Sequence, residues 1–188
     1  MKSKYFLFVA LVGFYSQTFA NTESITNPIE LLNLDVRIRG NPKQVLEQFC
    51  HEVKGQLINQ WQCPNSGESR VDLSCLIVNE SNEKLIFNGC SKVDGVWADT
   101  FFPACVIHDF CYHNEPGANK LQKSQCDDQF LANMQNICKT NSDQQKCLDT
   151  ATAFYLAVAG FGKKAWNCSK EKVQYPRSLD ELLNWRRP

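Results

Sequence analysis

"CVIHDFCYH", residues 105–113, sets a histidine and an aspartate side by side between two cysteines, with a tyrosine directly after the second. On a helix, residues three and four apart share a face, while neighbours point about 100° apart. His108 and Asp109 therefore cannot form a hydrogen-bonded couple with each other. They must serve two adjacent sites on one edge of a helix. Cys105 and Cys111 lie about 1.7 helical turns apart and cannot meet, so each pairs outward and can lock the helix to another segment. That rigidity suits a catalytic group, which has to be held to fractions of an ångström.

The rest of the chain sets the context. Lys2 and Lys4, the apolar run Phe6 to Phe14 and Thr18-Phe19-Ala20 together read as a secretory signal peptide over residues 1–20, too short for a stable membrane span. Its removal takes 20 basic against 20 acidic residues to 18 against 20, a formal net charge of −2. Such a balance argues against a nucleic-acid partner, which calls for a strong basic excess. All ten cysteines lie between Cys50 and Cys168, and an even count behind a signal peptide implies a disulfide framework in a secreted, extracellular protein. No pair is spaced C-x-x-C, which disfavours a zinc site. Asn79 and Asn167 match the N-glycosylation acceptor pattern.

Along the chain, residues 21–40 read as a polar leader or flexible arm, with Arg37–Arg39 as a processing site or an exposed turn. Asn41-Pro42 gives an N-cap followed by proline at the first helical position, and Val45, Leu46, Phe49, Cys50 and Val53 follow at helical spacing. Segments 56–62, 71–78 and 84–87 are short, partly β-branched and separated by turn residues, which predicts a small antiparallel β-element. Three helical stretches follow. The first, 101–113, has Pro103 in its first turn; the second, 122–138, puts Phe130, Leu131, Met134 and Ile137 on one face. The third, 144–160, has Leu148, Ala151, Tyr155 and Val158 as its buried stripe. The architecture is mainly α with a minor β piece.

A histidine with an ordinary pKa near 6.5 can take a proton from water at neutral pH if a second acid orients its far nitrogen. The carboxylate beside it can hold a hard cation, for which Ca²⁺ is the natural extracellular choice. A cation beside an activated water is a plan for ester hydrolysis. "ACVIHDFCYH" resembles the C-x-x-H-D-x-C-Y helix of secreted phospholipases A2. "CDDQFLANMQNIC" at 126–138 is similar to that family's second long helix, and "NGC" at 88–90 to its calcium-binding turn. The likeness is to the divergent branch that includes bacterial and fungal enzymes and the conodipines, and it covers roughly residues 88–138.

The resemblance implies a disulfide-rich fold with two long antiparallel helices, and it assigns roles by position. His108 matches the general base, Asp109 the calcium carboxylate, Asp127 the second aspartate that holds the histidine from behind, and Tyr112 the supporting tyrosine. Asp128 sits one position on and points elsewhere on a helix. The resemblance also implies the pairings Cys90–Cys105 and Cys111–Cys126. Two departures stand out: Ala104 occupies the place of a further family cysteine, and 88–100, "NGCSKVDGVWADT", lacks the glycine-rich calcium loop of the better-known enzymes. Asn88 and Gly89 are the expected loop ligands, with Asp94 and Asp99 in reserve.

These readings converge on a calcium-dependent phospholipase A2 acting on the sn-2 ester of glycerophospholipids in a membrane or micelle surface. The alternative is a non-catalytic binding protein or toxin on the same scaffold. Residues 41–168 make the expected domain. Residues 169–188 form a basic tail, and 163–188 together hold seven basic and three acidic residues. With Leu179, Leu182, Leu183 and Trp185 interspersed, this end reads as an amphipathic helix for an anionic surface or as a solvated, partly packed tail. His113 and His51 lack the company of His108 and read as ordinary. Phe101 and Phe102 suit core packing or an acyl channel equally.

Overall fold

The computed structural model describes residues 41–63, 67–78, 82–90, 96–115, 117–166, 168, 174–177 and 181. The expected signal peptide and arm lie outside these residues, as do Asn79, Asp94, Asn167 and the apolar residues of the tail. The first element is helix α1, Pro42–Glu52, entered as expected: the Asn41 side chain accepts from the Lys43 amide, and Pro42 opens the first turn. Strands β1 (Gln56–Ile58), β2 (Trp61–Gln62), β3 (Ser69–Arg70), β4 (Ser74–Val78) and β5 (Lys84–Phe87) follow, then helices α2 (Val96–Asn114), α3 (Lys123–Cys138) and α4 (Gln144–Phe161). A 3₁₀ turn, Gly162–Lys164, closes the series.

The β-element is antiparallel, in the order β1-β4-β5, with Cys75 facing Leu57 on one side and Phe87 on the other. The pair β2-β3 stands apart as a second ribbon. Cys75 bonds to Cys50 and so fastens α1 to the central strand. Gly55 is required beside this bridge, because a Cβ there would run into both sulfurs.

Helix α2 is apolar on every side, and the core explains why. One cluster packs Val106, Phe110 and Phe102 against α1, β4 and β5, while another packs Phe101, Ala104 and Cys105 against α3 and α4. A helix buried on both faces has no polar side to give water. The end of α2 meets the start of α3 through Cys111–Cys126, and its beginning shares a cluster with Met134 and Ile137 at the far end of α3. The two long helices are thus antiparallel. Cys138–Cys147 turns the chain into α4, which runs back along α3. Cys90–Cys105 and Cys63–Cys168 complete the five bridges among the described residues.

Two sequence expectations are corrected. Helix α2 begins at Val96, five residues before the expected start, so Pro103 lies inside it rather than in its first turn. An interior proline forgoes a backbone hydrogen bond; burial of Phe101 and Phe102 before it and of Ala104 and Val106 after it holds the helix across it. The expected stripe of α4 also shifts. Ala151 is buried and Leu148 and Val158 pack against the core, but Tyr155 turns outward to Asp128, and Cys147 with Phe154 takes the inner face. Leu156 and Phe161 are left 62% and 88% exposed, so the apolar run of α4 exceeds the core available to it. Among the described residues no helix is long and apolar enough to cross a membrane.

Glu115, fully buried where α2 ends, organises the turn into α3. Its carboxylate accepts from the Asn119 amide and side chain, the Leu121 amide and the Tyr175 hydroxyl. Burial alone would raise its pKa, but these donors outweigh burial and hold it below the usual glutamate range. Tyr175 and Pro176 are buried by this contact, so packing continues beyond Cys168. Glu115→Ala strands four donors and is expected to lower stability by roughly 2–4 kcal/mol, against about 1–2 kcal/mol for Tyr175→Phe, which loses one charged hydrogen bond. Urea unfolding under non-reducing conditions checks both. Equal losses would mean that the connector does not depend on the carboxylate.

Candidate active site

His108 lies in the middle of α2 and Asp127 one turn into α3, and Cys111–Cys126, three residues after the one and directly before the other, brings their backbones together. The imidazole Nε2 stands 3.1 Å from Asp127 Oδ1. The Tyr112 hydroxyl donates to the same oxygen at 2.6 Å, and Lys123 Nζ donates to Oδ2 at 2.8 Å. Burial would raise the Asp127 pKa, yet the hydrogen bonds from His108, Lys123 and Tyr112 outweigh it and hold the carboxyl below its ordinary value. An ionised carboxylate can only accept, so Nε2 carries the proton and Nδ1 keeps its lone pair.

Burial lowers the His108 pKa, with Asp127 pulling it back up and Lys123 pushing it down. The imidazole is therefore neutral at pH 7. Phe130 stacks on the ring at 4.5 Å and Tyr112 tilts against it at 4.0 Å, which fixes its plane. The Tyr112 hydroxyl is driven well above its ordinary pKa, first by burial and then by its bond to Asp127, and stays a donor.

Asp109, one residue on, faces a different neighbour. Its Oδ2 accepts from the backbone amides of Asn88 and Gly89, at 2.9 and 2.8 Å. Burial raises its pKa to about 7 against the pull of those amides. The turn depends on glycine: Gly89 has φ +65°, and a Cβ there would strike the Phe102 ring. Asn88 and Gly89 thus meet Asp109 through their N–H groups, which hold the carboxylate beside the turn. The expected reserve Asp99 lies ten residues before Asp109 on α2, about 15 Å along the axis, and cannot reach the same ion. Asp94 is outside the described residues.

Does this site suit a cation? Among the described residues no group of three His, Cys, Asp or Glu side chains could hold one. A hard cation, however, draws on backbone oxygens as much as on carboxylates. Asp109 Oδ1 accepts no hydrogen bond from the described residues. A carboxylate whose charged form is disfavoured by burial is one that a divalent ion would stabilise. The donor chemistry fits Ca²⁺ at Asp109.

Asp128, the rival to Asp127, is exposed and accepts from Tyr155. His113 is structural: its Nδ1 donates to the Ile86 carbonyl, its ring meets Trp61 edge-on, and burial lowers its pKa to about 4. Lys123 went unnoticed in the sequence reading, although its position four residues before Asp127 on one helix puts the two on the same face.

Residues 78–162 match the family described as "Prokaryotic phospholipase A2", just under half of the chain. Conodipine-P2 and Conodipine-P1 of Conus purpurascens are each 42% identical to it over 53 residues, which is 28% of this chain and 29% of theirs. The chain thus aligns with less than a third of the length of these curated relatives. No solved structure matches it. Residues 78–162 are thus a segment similar to the prokaryotic phospholipases A2. That segment contains α2, α3 and α4 and therefore His108, Asp109, Tyr112, Lys123 and Asp127, together with the Asn88–Gly89 turn. Helix α1, strands β1–β3 and Tyr175 lie outside the matched segment.

The last residue of the segment shows how tightly Tyr112 is set. Gly162 has φ −71°, which any residue adopts, but a Cβ there would collide with the Tyr112 hydroxyl and lie 2.9 Å from its ring. At Gly160, within α4, a Cβ meets nothing. Gly160→Ala should therefore stabilise by about 0.5–1 kcal/mol through helix propensity, whereas Gly162→Ala should cost about 1–3 kcal/mol through overpacking. Thermal unfolding of the two variants side by side is the check; a stabilising Gly162→Ala would mean that Tyr112 is not held where described.

Proposed function

We propose that the protein is a secreted, calcium-dependent phospholipase A2 that hydrolyses the sn-2 ester of glycerophospholipids to a lysophospholipid and a fatty acid. The observation that carries this reading is the placement of the His108 imidazole against Asp127, 3.1 Å apart. Its Nε2–H is engaged by a buried, ionised Asp127, its Nδ1 is left as an acceptor, and Asp109 stands one residue away. In the reaction, Nδ1 takes a proton from a water that attacks the ester carbonyl. The imidazolium so formed is stabilised by Asp127, whose other hydrogen bonds, from Tyr112 and Lys123, keep it from turning away. The same nitrogen then returns the proton to the departing alkoxide. Asp109 would hold Ca²⁺, with the Asn88–Gly89 turn supplying further oxygens while its amides fix the carboxylate. When bound, that ion supplies polarisation of the ester carbonyl and charge for its oxyanion.

Five disulfides support export. On this reading residues 1–20 are the signal peptide, 21–40 a leader or arm, 41–168 the working domain and 169–188 a basic tail. The substrate partner is a phospholipid membrane or micelle surface.

The direct test is release of fatty acid from phospholipid vesicles, with calcium or with chelator. His108→Gln should keep the fold, since the amide is similar in size and the five bridges remain, yet abolish release. If purified His108→Gln hydrolysed at the wild-type rate, another residue would be the base. An inactive wild type that still binds vesicles would favour a non-catalytic binding protein on this scaffold.

The metal is tested separately. An ion that binds only the folded state raises the melting temperature by mass action. Millimolar calcium should raise that of the wild type, and Asp109→Asn should abolish most of the rise, because the anionic oxygen is lost. The same rise in both proteins would move the cation away from Asp109.

A further inference from the structure

Lys123 belongs to neither the base nor the proposed cation site, and it is half-buried where α3 begins. An ammonium has three N–H donors, and here three acceptors surround it. These are Asp127 Oδ2 at 2.8 Å, the Val158 carbonyl at 2.9 Å and the Ala159 carbonyl at 3.3 Å. The two carbonyls belong to the last turn of α4, where the helix dipole is negative; the Val158 oxygen also accepts from the Gly162 amide. The Nζ also sits 5.5 Å from the centre of the Tyr112 ring, so the stem of Lys123 lies beside the other side chain that grips Asp127.

The two oxygens of Asp127 are thereby divided. Oδ1 serves His108 and Tyr112, and among the described residues Oδ2 serves Lys123. A carboxylate turns easily about its last bond, and rotation would offer the imidazole a different oxygen in a different direction. We propose that Lys123 is a positioning residue: it pins Oδ2 of Asp127 to the C-terminal turn of α4, so that Oδ1 faces the imidazole and the Nε2–H form of His108 is the one present. The inference rests on the hydrolytic reading of this site as far as rate is concerned. Its structural half does not, because the tautomer of His108 exists whether or not a substrate is turned over. The competing role is that of a helix cap, in which Lys123 serves only the carbonyls of α4 and the contact with Asp127 is incidental.

The experiment uses the full mature chain with its disulfides intact, and variants Lys123→Met, Lys123→Gln and Lys123→Arg. Two quantities are read: kcat and KM on phospholipid vesicles with calcium, and the His108 tautomer from ¹⁵N long-range NMR at pH 8, where the ring is neutral. Positioning predicts that Lys123→Met loses kcat on the order of tenfold to a hundredfold, the scale of a small misplacement at a reacting centre. KM should change by less than about twofold, as expected when an interaction acts only in the transition state. The wild-type ring should show Nε2–H alone, and the Met variant a mixture of the two neutral forms. Lys123→Arg, which keeps the charge and the donors, should restore the single form and most of kcat.

If Lys123→Met does not fold, Lys123→Gln is read in its place against the same two criteria. A single Nε2–H form in Lys123→Met overturns the proposal whatever happens to the rate, since the partner of the imidazole has then not moved. Mixed forms with an unchanged kcat overturn it as well. Were the wild type to release no fatty acid, the proposed function would fall, and the tautomer comparison alone would decide whether Lys123 positions Asp127.

Discussion

A carboxylate buried to 3% exposure, that of Asp127, holds three helices to one geometry. A buried charge is costly unless every lone pair finds a donor. Here the donors come from two chain elements and are anchored on a third. His108 and Tyr112 reach it from α2, and Lys123 from its own helix, while the Lys123 ammonium simultaneously holds the end of α4. Sliding any of these helices by one turn would leave the charge short of partners. The apolar cluster between α2, α3 and α4 supplies the adhesion, but apolar contacts are tolerant of small shifts. The polar network is what fixes the register of these helices.

The disulfides act on the same geometry from outside. Cys111–Cys126 closes the turn between α2 and α3 at the level of Asp127, and Cys90–Cys105 fastens the Asn88–Gly89 turn to the helix bearing Asp109. Each spans only 15 residues, so each gives less chain-entropy stabilisation than the long link Cys63–Cys168, which spans 105. Their position matters more than their loop length. Both lie within two turns of His108, one on either side, and leave α2 little freedom to rotate the imidazole away from Asp127.

Much of this was legible in the sequence, and the limits have physical causes. The divergence of neighbouring side chains on a helix already separated His108 from Asp109, and the family pattern placed Asp127 and both flanking bridges. Pro103 misled because proline is favoured in a first turn, whereas here a core on both sides of α2 carries the helix through it. Tyr155 misled because periodicity does not know how wide the buried stripe of α4 will be. That Asn88 and Gly89 lie beside Asp109 was legible, but the bonds from their amides to its carboxylate were not, since a sequence does not tell which way a turn's N–H groups face. Glu115 and Tyr175 are 60 residues apart, and no local pattern joins them. Lys123 was within reach of the four-residue rule, yet its link to the carbonyls of α4 depends on tertiary packing alone.

The two carboxylates nearest His108 are chemically alike and end up opposed. Asp127 collects donors from an imidazole, a phenol and an ammonium, and its ionised form wins in spite of burial. Asp109 collects two backbone amides on one oxygen, and burial prevails, raising its pKa to about 7. Environments that push like groups apart are how one site comes to hold distinct acid–base roles. Asp127 is already neutralised by protein and has no charge to spare for a metal; it can only hold and stabilise the imidazole. Asp109 has no ion pair among the described residues, so its anion is the one that a divalent cation would complete. The adjacency of His108 and Asp109 in "CVIHDFCYH" is therefore a way of turning one helix edge toward two different partners, a side chain on α3 and the Asn88–Gly89 turn.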